Sequence, residues 1–353
     1  MNVPRSICRA ILVMLALAST AYGFNDPLDQ AALPSALASR NMLLSVTQAG
    51  ERLVAVGQRG HIVYSDDQGG TWIQATVPVS SDLTAVFFVD AANGWAVGHD
   101  GVILHSTDAG ISWVKQLDGR QANATLVADL ESKATVEAGD DRIKRLLDEA
   151  IHYRDAGPDK PFLDVWFSDK ENGYAVGAYN LIFRTTDGGK LWQPWFDRTE
   201  NPGFLHLNAV RGIGDQVYVA GERGLFLRLD AATQRFVEQP TPYTGSFFAL
   251  SATADSLLVI GMRGNAYRSQ DDGSTWQRVE TGVHSGLSGV TVLDDGRIVV
   301  VSQGGQALVS QDHGATFEVL PAVRPMPFAA VAPAGTNRIA VAGMQGIRVE
   351  PLP

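Results

Sequence analysis

Three arginines occupy one recurring place in the chain. Arg59, Arg223 and Arg263 each sit in a short turn that follows an apolar run ending in glycine: "VAVGQRG" (54–60), "YVAGERG" (218–224) and "LVIGMRG" (258–264). In the other copies of that turn the same place holds Asp100, Tyr179, Gly304 and Gln345. Guanidinium groups suit two-point contacts with carboxylates, so these arginines would form an anion or carboxylate site if the fold sets their turns around one opening. The plain alternative is a solvated side chain, or one stacked on its neighbour. A hydrolytic chemistry is also available to these residues. Glycoside cleavage with a tyrosine nucleophile needs that tyrosine backed by a glutamate, plus an acid Asp. Tyr179, Tyr243, Glu222 and Asp100 could be assembled for it. His206, in "FLHLN", and Tyr243, in "PYTGSFF", precede further apolar runs and complete the candidate binding set.

These turns recur because the whole unit recurs. Aligned on the glycine that closes each "VAVG"-like run, the copies also include "WAVGHDG" (95–101), "YAVGAYN" (174–180), "VVVSQGG" (299–305) and "IAVAGMQG" (339–346). Most steps are 40 to 44 residues, the period of propeller blades. Each unit reads as four short strands of β-branched and aromatic residues between Gly and Asp turns. The turn from third to fourth strand carries a Ser/Thr-x-Asp-x-Gly pattern followed by an aromatic. Its members are Asp67 with Trp72, Asp108 with Trp113, Asp187 with Trp192, Asp271 with Trp276, and Asp312 with Phe317. These resemble Asp-box (BNR) repeats. Asp and Ser/Thr side chains bond the turn backbone, Gly supplies positive φ, and the ring is buried between blades. A turn repeated around a ring serves folding, so these aspartates are read as structural. A fourth copy, "LDAATQRF", keeps the spacing with Ala231 and Phe236 in the Asp and aromatic places.

The expected fold is all-β: a seven-bladed β-propeller of four-stranded blades with Asp-box turns, plus one helical insertion. The insertion accounts for the one long step, 79 residues from Gly98 to Gly177. Residues 119–160, between blades 2 and 3, lack the strand and box motifs, and "DDRIKRLLDEAIHYR" sets Ile143, Leu146, Leu147, Ala150 and Ile151 on one helical face behind Asp140 as N-cap. A partner helix is expected within 123–138. The last copy stops after its third strand, and a strand from within Leu28–Leu37 is expected to supply the fourth. Strand direction alternates, so the Arg59-type turns share one face with the blade-to-blade connections, while the Asp boxes lie on the other. The insertion leaves from that variable face and is expected to overhang its opening.

Residues 1–23 read as a secretory signal peptide, with Arg5 and Arg9 before an apolar run of only nine residues and small residues near Gly23. Residues 24–353 then form a single exported, periplasmic propeller domain with no transmembrane segment, since a span needs about 20 apolar residues. Cys8, the only cysteine, lies in that leader without a lipobox around it. The mature chain offers no thiol chemistry. Setting aside Arg5 and Arg9 leaves 26 basic against 38 acidic residues, a net charge of −12. Nucleic acid is a poor partner for such a chain. His61, His99, His105, His152, His206, His284 and His313 show no ligand spacing, and no phosphate loop or nucleophile elbow occurs, so no metal and no cofactor are expected.

"GWAVGHDGVILHSTDAGISW" and "NGYAVGAYNLIFRTTDGGKLW" resemble repeats of the photosystem II stability/assembly factor family, and the resemblance runs over 43–349 outside the insertion. It implies a seven-bladed propeller that binds proteins without catalysis. In oxygenic phototrophs it implies a lumenal, chaperone-like factor with an arginine patch, to which Arg59, Arg223 and Arg263 would belong. Exported propellers similar to it in non-photosynthetic bacteria are often encoded beside RND-type exporters. The expected function is a monomeric periplasmic assembly or accessory factor that docks on a membrane protein or envelope complex, a transporter being one candidate. The alternatives are a binding protein for a carboxylate or glycan ligand, and a sialidase-like glycoside hydrolase. Against the latter, "FNDP" and "NMLLSV" stand where the opening motif of sialidases belongs.

Overall fold

A computed structural model of the chain describes residues 25–321 and 326–353. The expected signal peptide, residues 1–23, lies outside the described residues. Seven antiparallel sheets follow one another along the chain, six with four strands and the last with three. Blade 1 is typical: an inner strand Leu43–Ala49, then Arg52–Gly57, Ile62–Ser65 and an outer strand Ile73–Gln74. Each inner strand packs on that of the next blade, and the inner strand of blade 7, Phe328–Pro333, packs back on that of blade 1. This is the seven-bladed propeller expected from the repeat.

The second strand of each blade explains the unbroken apolar runs. Gly94–Gly98, Gly173–Gly177 and Leu257–Gly261 are buried at every residue, because both sheet faces press on neighbouring blades and alternation has no solvent side to serve. Each inner strand opens with a bulge, at Leu44, Thr84, Leu163, Asn208, Phe248, Ser288 and Ala329. The polar members tie one blade to the next. Thr84 Oγ1 donates to Phe162 O and Ser288 Oγ to Phe328 O, both at 2.7 Å, as does Asn208 Nδ2 to Phe247 O.

The Asp boxes form as their residues require. In the first, Asp67 Oδ1 accepts from Thr71 N and Ser65 Oγ at 2.8 Å, Asp67 Oδ2 accepts from Thr71 Oγ1 at 2.7 Å, and Ser65 Oγ accepts from Gly69 N at 2.8 Å. Asp108, Asp271 and Asp312 repeat the set. At Asp187 the matching place is Leu191, so only its amide is bonded. The aromatics stack edge-on: Trp113 meets Phe88, Trp192 meets Phe167, and Trp276 reaches Phe226 of the preceding blade. In blade 4, Asp230 bonds Ala232 N and Thr233 N, and Phe236 is buried. The turn therefore survives without its aspartate.

Two helices form within the insertion, α1 (Gly119–Val136) and α2 (Asp141–Ala156), capped by Asp118 and Asp140. Leu126, Leu130, Ile143, Leu146, Ala150 and Tyr153 pack them on each other and on Phe196 of blade 3. Two expectations are corrected. The hairpin does not overhang the opening: α1 lies along the outer strand of blade 3, Gln193–Pro194, and against the His99–Gly101 turn, while α2 touches Phe196–Arg198. The segment Leu28–Leu37 is not a strand of blade 7. It runs over blade 1, with Ala32 N bonded to Val77 O at 3.1 Å and Ser35 N to Gln74 Oε1 at 2.8 Å. Pro27 and Pro34 lack the amide hydrogens a ladder needs. Among the described residues the ring closes through side chains, where Ala38, Leu43, Val46 and Ala55 meet Ala332, Ala340 and Ala342.

Candidate functional site

The turns between second and third strands share one backbone design. Arg59 (φ 58°), Asp100 (58°), Tyr179 (53°), Arg223 (55°) and Arg263 (56°) are all left-handed, each followed by a left-handed Gly or Asn. The bond from His61 N to Gln58 O, 3.1 Å, closes the first, and the others match it. Two successive positive-φ residues define the type I′ hairpin turn, which favours Asn, Asp or Gly at its first central place. The second place is forced in blade 4, where a Cβ on Gly224 would lie 1.8 Å from Tyr243 O. Nothing in the turn itself calls for arginine or tyrosine at the first place. Their left-handed backbone costs about 1–2 kcal/mol each relative to an ordinary conformation. Strain of this kind gathers at functional sites.

The sequence-predicted residues lie on one face but do not form one cluster. Tyr179 and His206 meet edge-to-face with centroids 4.5 Å apart, and Tyr179 N donates to His206 Nδ1 at 3.4 Å. His206 N donates to Glu222 Oε2 at 2.9 Å, beside Arg223. Tyr243 Oη donates to Met262 O at 3.2 Å, next to Arg263. These residues make an arc over blades 3 to 5. Tyr153 of α2 extends the arc outward by donating to Tyr179 O at 3.0 Å, and Lys160 Nζ lies 5.5 Å from the Tyr179 ring. Arg59 and Asp100 belong to blades 1 and 2, away from that arc. Arg59 N bonds Asp82 Oδ1 at 2.7 Å, and Asp100 Oδ2 accepts from Ser81 Oγ at 2.6 Å.

The three arginines are exposed, and none makes an ion pair or side-chain hydrogen bond among the described residues. Elsewhere Arg52 is held by Asp66, Arg297 by Asp295 and Arg211 by Asp164. Exposed apolar side chains stand on the same face: Tyr179, Met262 and Met344. Between the turns the channel opens into a largely apolar hollow of about 590 Å³, lined by Leu44, Leu163, Phe248, Pro327 and Met344. No residue of α1 or α2 lines it.

Deeper in the channel is a pair that the sequence reading missed. Asp164 is buried on the inner strand of blade 3, and Arg211 of blade 4 reaches it. Val165 N and Val210 N also donate to Asp164, at 2.9 Å. Burial pushes the Asp164 carboxyl up, against the pull of the guanidinium. The only signal was an acid in "FLDVWF" where the aligned inner-strand places hold Ser45, Ala85, Ala209, Ala249, Gly289 and Ala330. No group of three or more His, Cys, Asp or Glu that could hold a metal occurs among the described residues. No helix among them is long and apolar enough to cross a membrane.

Comparison with known proteins places this geometry in context. The model of the family described as Photosynthesis system II assembly factor YCF48 matches residues 28–134 and 152–324, and the gap between the two stretches takes in the end of α1 and most of α2. Photosystem II assembly lipoprotein Ycf48 of Synechococcus sp. (strain CC9902) is 25% identical over 158 residues, 44% of this chain and 47% of that one. The match thus spans about half the length of that relative. A solved structure of YCF48 bound to D1 peptide superposes with a TM-score of 0.63 at 17% identity, covering 93% of this chain and 96% of that one. The Niastella koreensis GH74 enzyme superposes with a TM-score of 0.60 at 13% identity, covering 88% of this chain and 52% of its own. At these identities the likeness of structures is one of fold.

Proposed function

The chain belongs to the family of Photosynthesis system II assembly factor YCF48, and from that premise we propose that it is a non-enzymatic, exported assembly or accessory factor. It docks on a membrane-protein complex through the face bearing Arg59, Arg223 and Arg263, and an envelope transporter of the RND type is the partner class to examine first. One observation carries the choice of face. Three arginines are kept in left-handed turns where Asn or Gly would fit better, exposed and with no ion pair to their guanidinium groups among the described residues. Exposed Tyr179, Met262 and Met344 add the apolar contacts that a docking surface needs beside its charge. A protein of the same fold has been solved with a bound peptide.

The fold alone does not separate this role from hydrolysis, since a glycosidase shares it. The residues available for that chemistry support docking better. The Tyr243 hydroxyl is committed to Met262 O and the Asp100 carboxylate to Ser81. A carrier of a small carboxylated compound is favoured by one feature, the partly exposed Arg211 in the channel. The test is affinity capture from detergent-solubilised membranes by the wild-type chain and by an Arg59/Arg223/Arg263→Glu variant. A membrane protein held by the first and lost by the second is the expected result. Equal capture by both would overturn docking through this face, and a melting shift with small carboxylates that vanishes in Arg211→Ala would favour the carrier.

A further inference from the structure

We propose that the outer edge of blade 7 is a dimerisation site, at which the strand Gly346–Pro351 pairs antiparallel with the same strand of a second copy. Such a dimer would be reversible and would stand against the monomer expected from the sequence, independently of the docking face. Among the described residues six sheets carry a fourth strand, and the seventh has three, with this strand outermost. In blades 1, 3, 4 and 6 the third strand's first residue accepts a bond from the outer segment. Ala75 N donates to Ile62 O, Trp195 N to Ile182 O, Gln239 N to Phe226 O and Leu320 N to Ala307 O. The matching residue of blade 7 is Ile347, paired with Ala342 as Ile62 is with Val56. No such bond reaches Ile347 O among the described residues. Ile347 and Val349 therefore turn their backbone N–H and C=O outward, and among the described residues no strand pairs with them, which leaves a template for another strand.

The side chains select the occupant. "GIRVEP" is self-complementary when Val349 faces Val349 of the second copy. The two Val349 residues then exchange both backbone bonds, and each Ile347 N–H meets the opposite Pro351 O. Arg348 falls opposite Glu350 at both ends, in the closely spaced non-bonded pairs where cross-strand charges interact most. Arg348 and Glu350 already share a face, with Nε and Oε1 2.6 Å apart. A register centred on Arg348 would oppose two like charges instead. Pro351 lacks an amide hydrogen and ends the ladder, which limits growth beyond a pair. Apolar surface adjoins the edge: Ala38–Arg40 touches this strand and blade 1's outer strand, and Leu33, Leu37 and Ile73 there are each more than half exposed.

Sedimentation of the purified chain over a concentration series tests this. Wild type is expected to pass reversibly from monomer to dimer. Arg348→Glu alone or Glu350→Arg alone sets like charges opposite one another, and should raise the dissociation constant at least about tenfold. An equimolar mixture of the two should regain wild-type affinity as a heterodimer, which lost folding could not produce. Val349→Pro should stay monomeric with an unchanged circular dichroism spectrum. A wild type that is monomeric throughout overturns the proposal, whether the edge is closed by residues upstream of Asn25 or serves another protein. So do single variants that dimerise like wild type, or a mixture without recovery.

Discussion

At the scale of single residues, the chain keeps side chains that its own turns do not favour. Replacing Arg223 or Arg263 by Asn puts a residue suited to the first central place of a type I′ turn on a backbone already left-handed. Each change should raise stability by about 0.5–1 kcal/mol in urea unfolding, because the left-handed penalty falls. The same change should weaken partner capture. Stability gained with function lost is the pattern expected where strain is held for use. If Arg223→Asn and Arg263→Asn are instead less stable than wild type, the arginines serve the fold, and the choice of face loses its support. Their turn was legible because "VAVGQRG", "YVAGERG" and "LVIGMRG" repeat one pattern. The Asp164–Arg211 pair was not, since nothing in two strands far apart in sequence says that an acid and an arginine will meet across a blade boundary.

At the scale of elements, the Asp box makes a prediction about acid. The Thr71 amide, then the hydroxyls of Thr71 and Ser65, hold the Asp67 carboxyl down to about 2. At Asp312, burial pushes upward but is outweighed by the Thr316 hydroxyl and amide, and the result is again about 2. Asp108, Asp187 and Asp271 are lowered for related reasons. A carboxyl lowered on folding contributes stability that is complete above its unfolded value, about 4, and is lost as pH falls through the folded value. Unfolding free energy should therefore fall steeply between about pH 4 and pH 2. In Asp67→Asn and Asp312→Asn it should start lower and fall less steeply, as read from urea midpoints across that range. Equal slopes in wild type and both variants would contradict this account of the box. Boxes, strands and the α2 face were readable because local patterns fix them. The N-terminal segment was misjudged because closure of the ring is a long-range matter, and Pro27 and Pro34 take that segment out of ladder pairing.

At the scale of the whole molecule, the ring has a seam. Among the described residues blades 1 and 7 share no strand and are joined by small and branched side chains around Leu43, which is fully buried. Leu43→Ala should cost about 2–5 kcal/mol, and hydrogen exchange should quicken first in blades 1 and 7. Uniform quickening in all seven blades would show that the seam is no weaker than the other junctions. The same missing strand leaves the edge at which two copies are proposed to meet. It lies at the outer strand of blade 7, whereas the arginines sit in turns between second and third strands, so the proposed dimer and the proposed docking involve different surfaces. The helical hairpin stands outside blade 3, and its Tyr153 holds the Tyr179 turn from behind. It shapes the face without covering the channel.

The central claim is that one face of the propeller docks on a membrane protein. A photocrosslinking residue placed in cells at Met262, beside Arg263, or at Ile111, on the Asp-box face, tests it most directly, since both side chains are exposed. A specific adduct with a membrane protein is expected from Met262, abolished by Arg59/Arg223/Arg263→Glu, and none from Ile111. An adduct from Ile111 alone, or one from Met262 that survives loss of the three arginines, would contradict it.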